Sequence, residues 1–306
     1  MPELVALTGA TGFIGTALTN TFSQAGIKVR ALSRKKRVSN NSVEWIEGDM
    51  HSPLALKKLV QDADTVIHCA GNVRGKSKLE FLSINQGGTE NLLTACKEQK
   101  NIQRFLLISS LAAKQPDLSW YAFSKHAAEQ TLLSYKDHIP SSTVFRPTAV
   151  YGPGDKEIRP LLKGIKMGLL ARPAAKTNFS LIHINDLVSA INLWARHPTA
   201  VNGVYELDDG TANGYNWDKL IDLAQQHWGK SVFSISVPIG LLKILANTNL
   251  KIARLLRYSP MLTPGKVREI LYPDWVCDNS DLSTAIEWHP SIQLSQAMQD
   301  PSLLDL

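Results

Sequence analysis

Cysteine is scarce: the 306-residue chain holds only Cys69, Cys96 and Cys277, far apart and without a Cys-x-x-Cys pair. An odd, scattered set supports neither a disulfide framework nor a thiolate metal centre and fits reduced thiols, so a cytoplasmic location is expected. His68, His126 and His183 are equally isolated, which argues for packed or surface imidazoles and no metal site. Apolar residues from Leu4 to Leu7 follow the first residues directly, with no basic segment leading a long apolar one, so no export signal is expected. Long apolar runs are missing as well. The greasiest stretch, Val237 to Leu256, is broken by Lys243, Asn247, Asn249, Lys251 and Arg254. A spanning helix would bury those cations at high cost, so one or two amphipathic helices are expected, with contact at a membrane surface as the alternative. The net charge of +6 suits an anionic ligand. No motif of a nucleic-acid module accompanies it, and nucleic acid is not an expected partner.

What is present reads as a globular α/β chain. With 44% hydrophobic and 20% charged residues, 306 positions suffice for two modest domains or one large unit with a cap. Apolar runs at Leu4–Leu7, 27–32, 43–46, 65–70, 104–108 and 142–145 alternate with helix-like patterns at 14–22, 54–60, 81–96 and 121–135. That rhythm predicts a Rossmann-type, doubly wound parallel sheet. After Gly154 the rhythm loosens, and the regular sheet is expected to end near there. Residues 1–157 and 181–209 are assigned to a nucleotide-binding domain, and 158–180 with 210–306 to a smaller substrate-binding cap.

Between the first strand and helix, Thr8-Gly9-Ala10-Thr11-Gly12-Phe13-Ile14-Gly15 spaces three glycines at three-residue intervals. Gly9 would permit the tight turn, Gly12 would let backbone N–H groups approach a pyrophosphate, and Gly15 would let helix and strand pack closely. At the end of the second strand, a carboxylate would bind the adenosine ribose of NAD, whereas cations suit the 2′-phosphate of NADP. Ser33 stands where the acid would be, followed by Arg34-Lys35-Lys36-Arg37. NADP(H) is therefore the expected cofactor, with NAD(H) as the alternative, and Arg34 the bidentate phosphate ligand. Farther along, Tyr121 and Lys125 lie four residues apart and share one face of a helix. A phenol needs help to exchange a proton near neutrality; a neighbouring ammonium lowers its pKa, so Tyr121 can act as acid or base and Lys125 as its pKa setter.

The TGATGFIG loop resembles that of the extended short-chain dehydrogenase/reductase family, also called the NAD-dependent epimerase/dehydratase family. The resemblance implies further roles. Ser110, at the end of the apolar run Phe105 to Ile108, would orient the substrate oxygen; Ser109 is the backup, and both serines could instead satisfy loop amides. Asp49 and Met50 would border adenine, Cys69, Ala70 and Gly71 would line the nucleotide, Asn85 would hold structure or cofactor in place, and Pro147 and Val150 would border nicotinamide. Family members often pair through the helices holding Phe81 to Cys96 and Tyr121 to Tyr135, so a homodimer is a possible assembly. The sugar-nucleotide members carry an asparagine where this chain has Ala149, and a methyl group makes no hydrogen bond. The pattern sits closer to the dihydroflavonol-reductase-like and hydroxysteroid-dehydrogenase-like branches. Reduction of a ketone or aldehyde, or oxidation of the alcohol, is expected. The alternatives are a nucleotide-sugar epimerase or dehydratase, with Arg159 or Arg172 on the diphosphate, and a non-catalytic NADP-binding scaffold or redox sensor.

Overall fold

The computed structural model describes residues 2–305. The first half alternates as its hydrophobic pattern demands: β1 (Leu4–Thr8), α1 (Phe13–Gln24), β2 (Lys28–Ser33), β3 (Val43–Glu47), α2 (Pro53–Val60) and β4 (Thr65–His68). A helical run follows, made of α3 (Lys78–Leu82), one π turn over Ser83–Gly87 and α4 (Gly88–Lys97). Then come β5 (Arg104–Ile108), α5 (Trp120–Ser134), β6 (Ser141–Pro147) and β7 (Ala149–Tyr151). The second half holds α6 (Arg159–Lys166), β8 (Leu169–Pro173), β9 (Asn178–Phe179), β10 (Leu181–His183), α7 (Ile184–Arg196) and β11 (Gly203–Leu207). It closes with α8 (Trp217–Trp228), β12 (Phe233–Val237), α9 (Ile239–Leu256), α10 (Pro264–Leu271), β13 (Asp274–Trp275), α11 (Ser280–Ile286) and α12 (Leu294–Ala297).

Seven strands form one parallel sheet in the order β11-β6-β5-β4-β1-β2-β3. Apolar side chains leave both of its faces, as a sheet covered on two sides requires. One face packs Leu7, Phe22, Phe145 and Trp194 beneath α1 and α7; the other packs Leu56, Leu92, Phe105 and Leu132 beneath α2, α4 and α5. A third cluster around Leu162, Ile165, Leu220 and Leu294 is the core of the cap.

The sheet does not end near Gly154. β11 returns as its seventh strand beside β6, pairing Gly203 with Thr143 through Leu207 with Pro147. An edge strand needs only one partner, and Gly203-Val204-Tyr205, half exposed, carries little hydrophobic signal of its own. β4 stops at His68, two residues short of the expected Ala70, because Cys69 onward leaves the ladder to line a crevice. Leu282, Ile286 and Trp288, on the cap side of the division drawn from sequence, pack into the first core with Leu7 and Phe22. Val237 to Leu256 resolves into β12's last residue and one 18-residue helix. Among the described residues no helix is long and apolar enough to cross a membrane.

Candidate active site

The strand order reverses between β1 and β4, and a crevice opens at the carboxyl ends of these strands. Gly9 turns the chain there with φ +69°, and a Cβ on it would lie 2.6 Å from the Ala70 nitrogen. A Cβ on Gly15 would lie 2.1 Å from the Gly9 carbonyl, so only glycine lets α1 start this close to the turn. Gly12 is the N-cap, without a side-chain cap and without an acid in the first turn, which leaves the N–H groups of α1 open to an anion. Gly9, Thr11, Gly12, Phe13, Ile14 and Gly15 all line the crevice, with Cys69 and Gly71 across from them and Pro147 and Val150 beyond. This cradle, which a Cβ would fill, fits a dinucleotide pyrophosphate.

Thr8 is not among these groups. Its fully buried hydroxyl bonds His68 Nδ1 at 2.6 Å and accepts the Ala70 N–H at 3.2 Å, so it ties β1 to the end of β4 and sets Ala70 behind Gly9. At the end of β2, Ser33 is buried and closes a turn on Lys35, while Arg34 is exposed. Asp49 stands exposed nearby. Bonds from Ser52 and the His51 N–H, and the charges of His51 and Arg34, hold its carboxyl below the usual range. Met50 is turned the other way, into the core against Gly88, and of this pair only Asp49 reaches the surface. No carboxylate occupies the position of Ser33, and an exposed guanidinium follows it, which suits a 2′-phosphate.

The helix α5 starts at Ser119, whose hydroxyl accepts the Ala122 N–H at 2.9 Å. Its first two turns carry Tyr121 and Lys125. Burial pushes the Tyr121 phenol up, a hydrogen bond with the Ser110 hydroxyl pulls it down, Glu269 pushes it up and Lys266 pulls it down. Lys266 of α10 is thus a cation beside the phenol that the sequence did not announce. Lys125 Nζ donates to the Ile108 carbonyl at 2.6 Å, and burial brings its pKa down to about 8. Lys125 Nζ lies against Gly71 and Cys69 at the crevice floor. Asn85, in the π turn, accepts the Asn72 N–H at 2.7 Å and donates to Ser124 Oγ at 2.8 Å, fastening the loop after β4 to the catalytic helix. Ser109 donates its hydroxyl to Glu129, which Arg146 holds at 2.6 and 3.0 Å, so Ser110 alone of the two serines offers its hydroxyl to Tyr121.

Around this pair lies a cleft of about 790 Å³, walled by the sheet on one side and the cap on the other. Val73, Phe81, Leu161, Phe179, Met261 and Trp275 make it largely apolar. Four of its charged groups form two ion pairs, Arg74 with Glu157 at 2.8 Å and Lys266 with Glu269 at 2.9 Å, while Lys156 and Arg268 line it from exposed positions. Ala149 lines it, but neither Arg159 nor Arg172 does, and Arg172 is engaged with Asp218 at 2.9 Å. Among the described residues no cluster of His, Cys, Asp or Glu could hold a metal.

Sequence reasoning missed Lys266 and Glu269. Glu269 accepts from Ser119, 150 positions earlier, and so ties α10 to the N-cap of the catalytic helix. No local spacing announces a contact of that range.

The model of the NAD dependent epimerase/dehydratase family matches residues 5–207. A ceramide reductase of Caulobacter vibrioides is 32% identical over 289 residues, covering 92% of this chain and 89% of that protein. A 3 beta-hydroxysteroid dehydrogenase/Delta 5-->4-isomerase of Mycobacterium tuberculosis is 26% identical, with 89% and 90% covered. The solved UDP-glucuronic acid 4-epimerase of Bacillus cereus, in complex with UDP-glucuronic acid and NAD, superimposes with a TM-score of 0.75 at 21% identity, covering 98% of each chain, and shares the fold. With its crevice, its Tyr–Lys helix and these relatives, the chain belongs to the NAD-dependent epimerase/dehydratase family and is an NAD(P)-dependent enzyme of the extended short-chain dehydrogenase/reductase type.

Proposed function

We propose that the protein reduces a ketone on a long-chain, apolar molecule at the expense of NADPH. The observation that carries this reading is the Ser110–Tyr121 hydroxyl pair facing a largely apolar cleft in which Arg74 and Lys266 are held by Glu157 and Glu269. The two arginines expected to hold a sugar diphosphate, Arg159 and Arg172, lie outside the cleft lining. The name of the Caulobacter relative, a ceramide reductase, points to the same substrate class.

Bound NADPH supplies the hydride; the rest belongs to this chain. Gly9 to Gly15 and α1 hold the pyrophosphate, Arg34 the 2′-phosphate and Lys125 the ribose. Ser110 donates a hydrogen bond to the substrate oxygen and polarises its carbonyl. Tyr121 Oη gives that oxygen a proton, and burial, by keeping the phenol protonated, prepares it as the acid. Apolar walls exclude water from the reacting carbon.

The test is a titration with NADPH and NADH followed by loss of reduced-nicotinamide absorbance against long-chain ketones. NADPH is expected to bind more tightly by at least about tenfold, as loss of a bidentate phosphate contact implies. Equal affinities would refute the cofactor assignment. Arg34→Ala is expected to weaken NADPH binding by about tenfold or more while leaving NADH binding unchanged.

A further inference from the structure

The helix α9 is apolar on the wrong side. Ala246, Leu250 and Ala253 face inward and are buried. Leu241, Ile244, Leu245, Ile252, Leu255 and Leu256 recur at three- and four-residue steps on the opposite side, with Ile244 63% and Leu255 81% exposed. Such spacing draws a continuous stripe along the outward face. An ordinary surface helix keeps that face polar, and an exposed stripe of this kind marks a contact.

Charge identifies the contact. From Leu223 to Arg268 the chain has seven Lys and Arg and no Asp or Glu, and of these Lys266 is paired with Glu269. Lys243, Lys251 and Arg254 fall on one flank of the stripe, and Arg257 follows at its end. A second copy of this helix would bring Lys243, Lys251, Arg254 and Arg257 against the same four cations. An anionic lipid surface complements both features, taking the apolar side chains below its headgroups and the cations at their level.

The same helix also reaches the active-site cleft with its inward face. Leu250, on the inward face of α9, lines that cleft, as do Pro260 and Met261 just beyond the helix. Arg254 Nε donates to the Lys76 carbonyl at 3.3 Å, in the same loop as the cleft residues Val73 and Arg74. One helix therefore has an apolar face toward solvent and an apolar residue in the substrate site.

We propose that α9 docks the enzyme on an anionic bilayer and that the substrate enters the cleft from that surface. The second half rests on the reading of the protein as a reductase of apolar ketones; the docking itself does not. The experiment is flotation of the full chain with vesicles of phosphatidylglycerol and phosphatidylcholine, and with phosphatidylcholine alone. The variants Ile244→Ser/Leu255→Ser and Lys243→Glu/Lys251→Glu are run alongside, with NADPH affinity as the check on folding, since all four side chains are exposed.

Wild-type protein is expected to float with the anionic vesicles. Binding should fall by about tenfold or more without phosphatidylglycerol or in either variant, at unchanged NADPH affinity. Wild-type protein that stays in solution with anionic vesicles overturns the proposal, as does full binding by the Ile244→Ser/Leu255→Ser variant. A dimer that this variant converts to monomers, measured by sedimentation, also overturns it, because the stripe is then a subunit interface. Turnover of a water-soluble ketone, measured without vesicles, separates the two ideas: its absence beside intact flotation removes the reductase reading and leaves the docking.

Discussion

Tyr121 is held by its surroundings in the protonation state that reduction needs. Burial is the largest influence on its phenol and raises its pKa. Carbonyl reduction should therefore persist through neutral pH and fall as pH rises through the raised pKa, because the proton donor is lost there. Glu269→Gln removes a carboxylate that raises this pKa and should move the alkaline limb of kcat to lower pH; an unmoved limb would dissociate Glu269 from the phenol. Replacing Tyr121 by Phe should lower kcat by about 10²–10⁴-fold with NADPH affinity nearly unchanged, as removal of a general acid does. His68 offers a test of stability. Buried between Thr8 and Thr89, it has its pKa lowered to about 3 by burial and by the charge of Lys125, against a reference of 6.5. The folded state binds fewer protons than the unfolded chain between those values, so stability is full above 6.5 and is lost as pH falls toward 3. Thermal unfolding between pH 7 and pH 5 should show a smaller decline for His68→Gln than for wild type; parallel declines would exclude His68 as a source of acid sensitivity. Motif residues were legible at this scale because their spacing is local. The side-chain contacts of Thr8, Met50 and Ser109 were not, because His68, Gly88 and Glu129 come from other elements.

Elements owe their legibility to hydrophobic period and punctuation. The βα alternation through β6 follows from apolar runs broken by turn residues, and the strand–glycine turn–helix unit of β1 and α1 carries its purpose in three glycines. Gly9→Ala should abolish measurable cofactor binding, since its Cβ would meet the Ala70 nitrogen at 2.6 Å in a left-handed backbone; retained affinity would mean that the turn can open without loss. The two-residue β9 and β13, and the parallel pair β8 and β12, have no such signal, because each gains its partner from a distant part of the chain. The same is true of α10 and α5. Ser119 serves at once as N-cap of α5 and as donor to Glu269, so Ser119→Ala should cost about 1–2 kcal/mol in thermal or urea unfolding. A change below the error of that measurement would show that the cap and the catalytic helix are held together by other contacts.

At the scale of the molecule, the chain crosses between its two parts more often than its sequence suggests. α11 carries Leu282 and Ile286 back into the core beneath α1 and α7, beside Trp288. Leu282→Ala, at a fully buried position, should cost about 2–5 kcal/mol and weaken the cofactor-binding half, although the residue lies near the far end of the chain. The sheet and the cap also meet around the cleft that Ser110 and Tyr121 line, and the proposed apolar carbonyl substrate would lie there. The most direct test of the central claim is NADPH oxidation by purified protein in the presence of a long-chain ketone, with the Tyr121→Phe variant beside it. The account predicts ketone-dependent loss of absorbance in the wild type and its near disappearance in the variant. Ketone-dependent oxidation at equal rates in both proteins would contradict it.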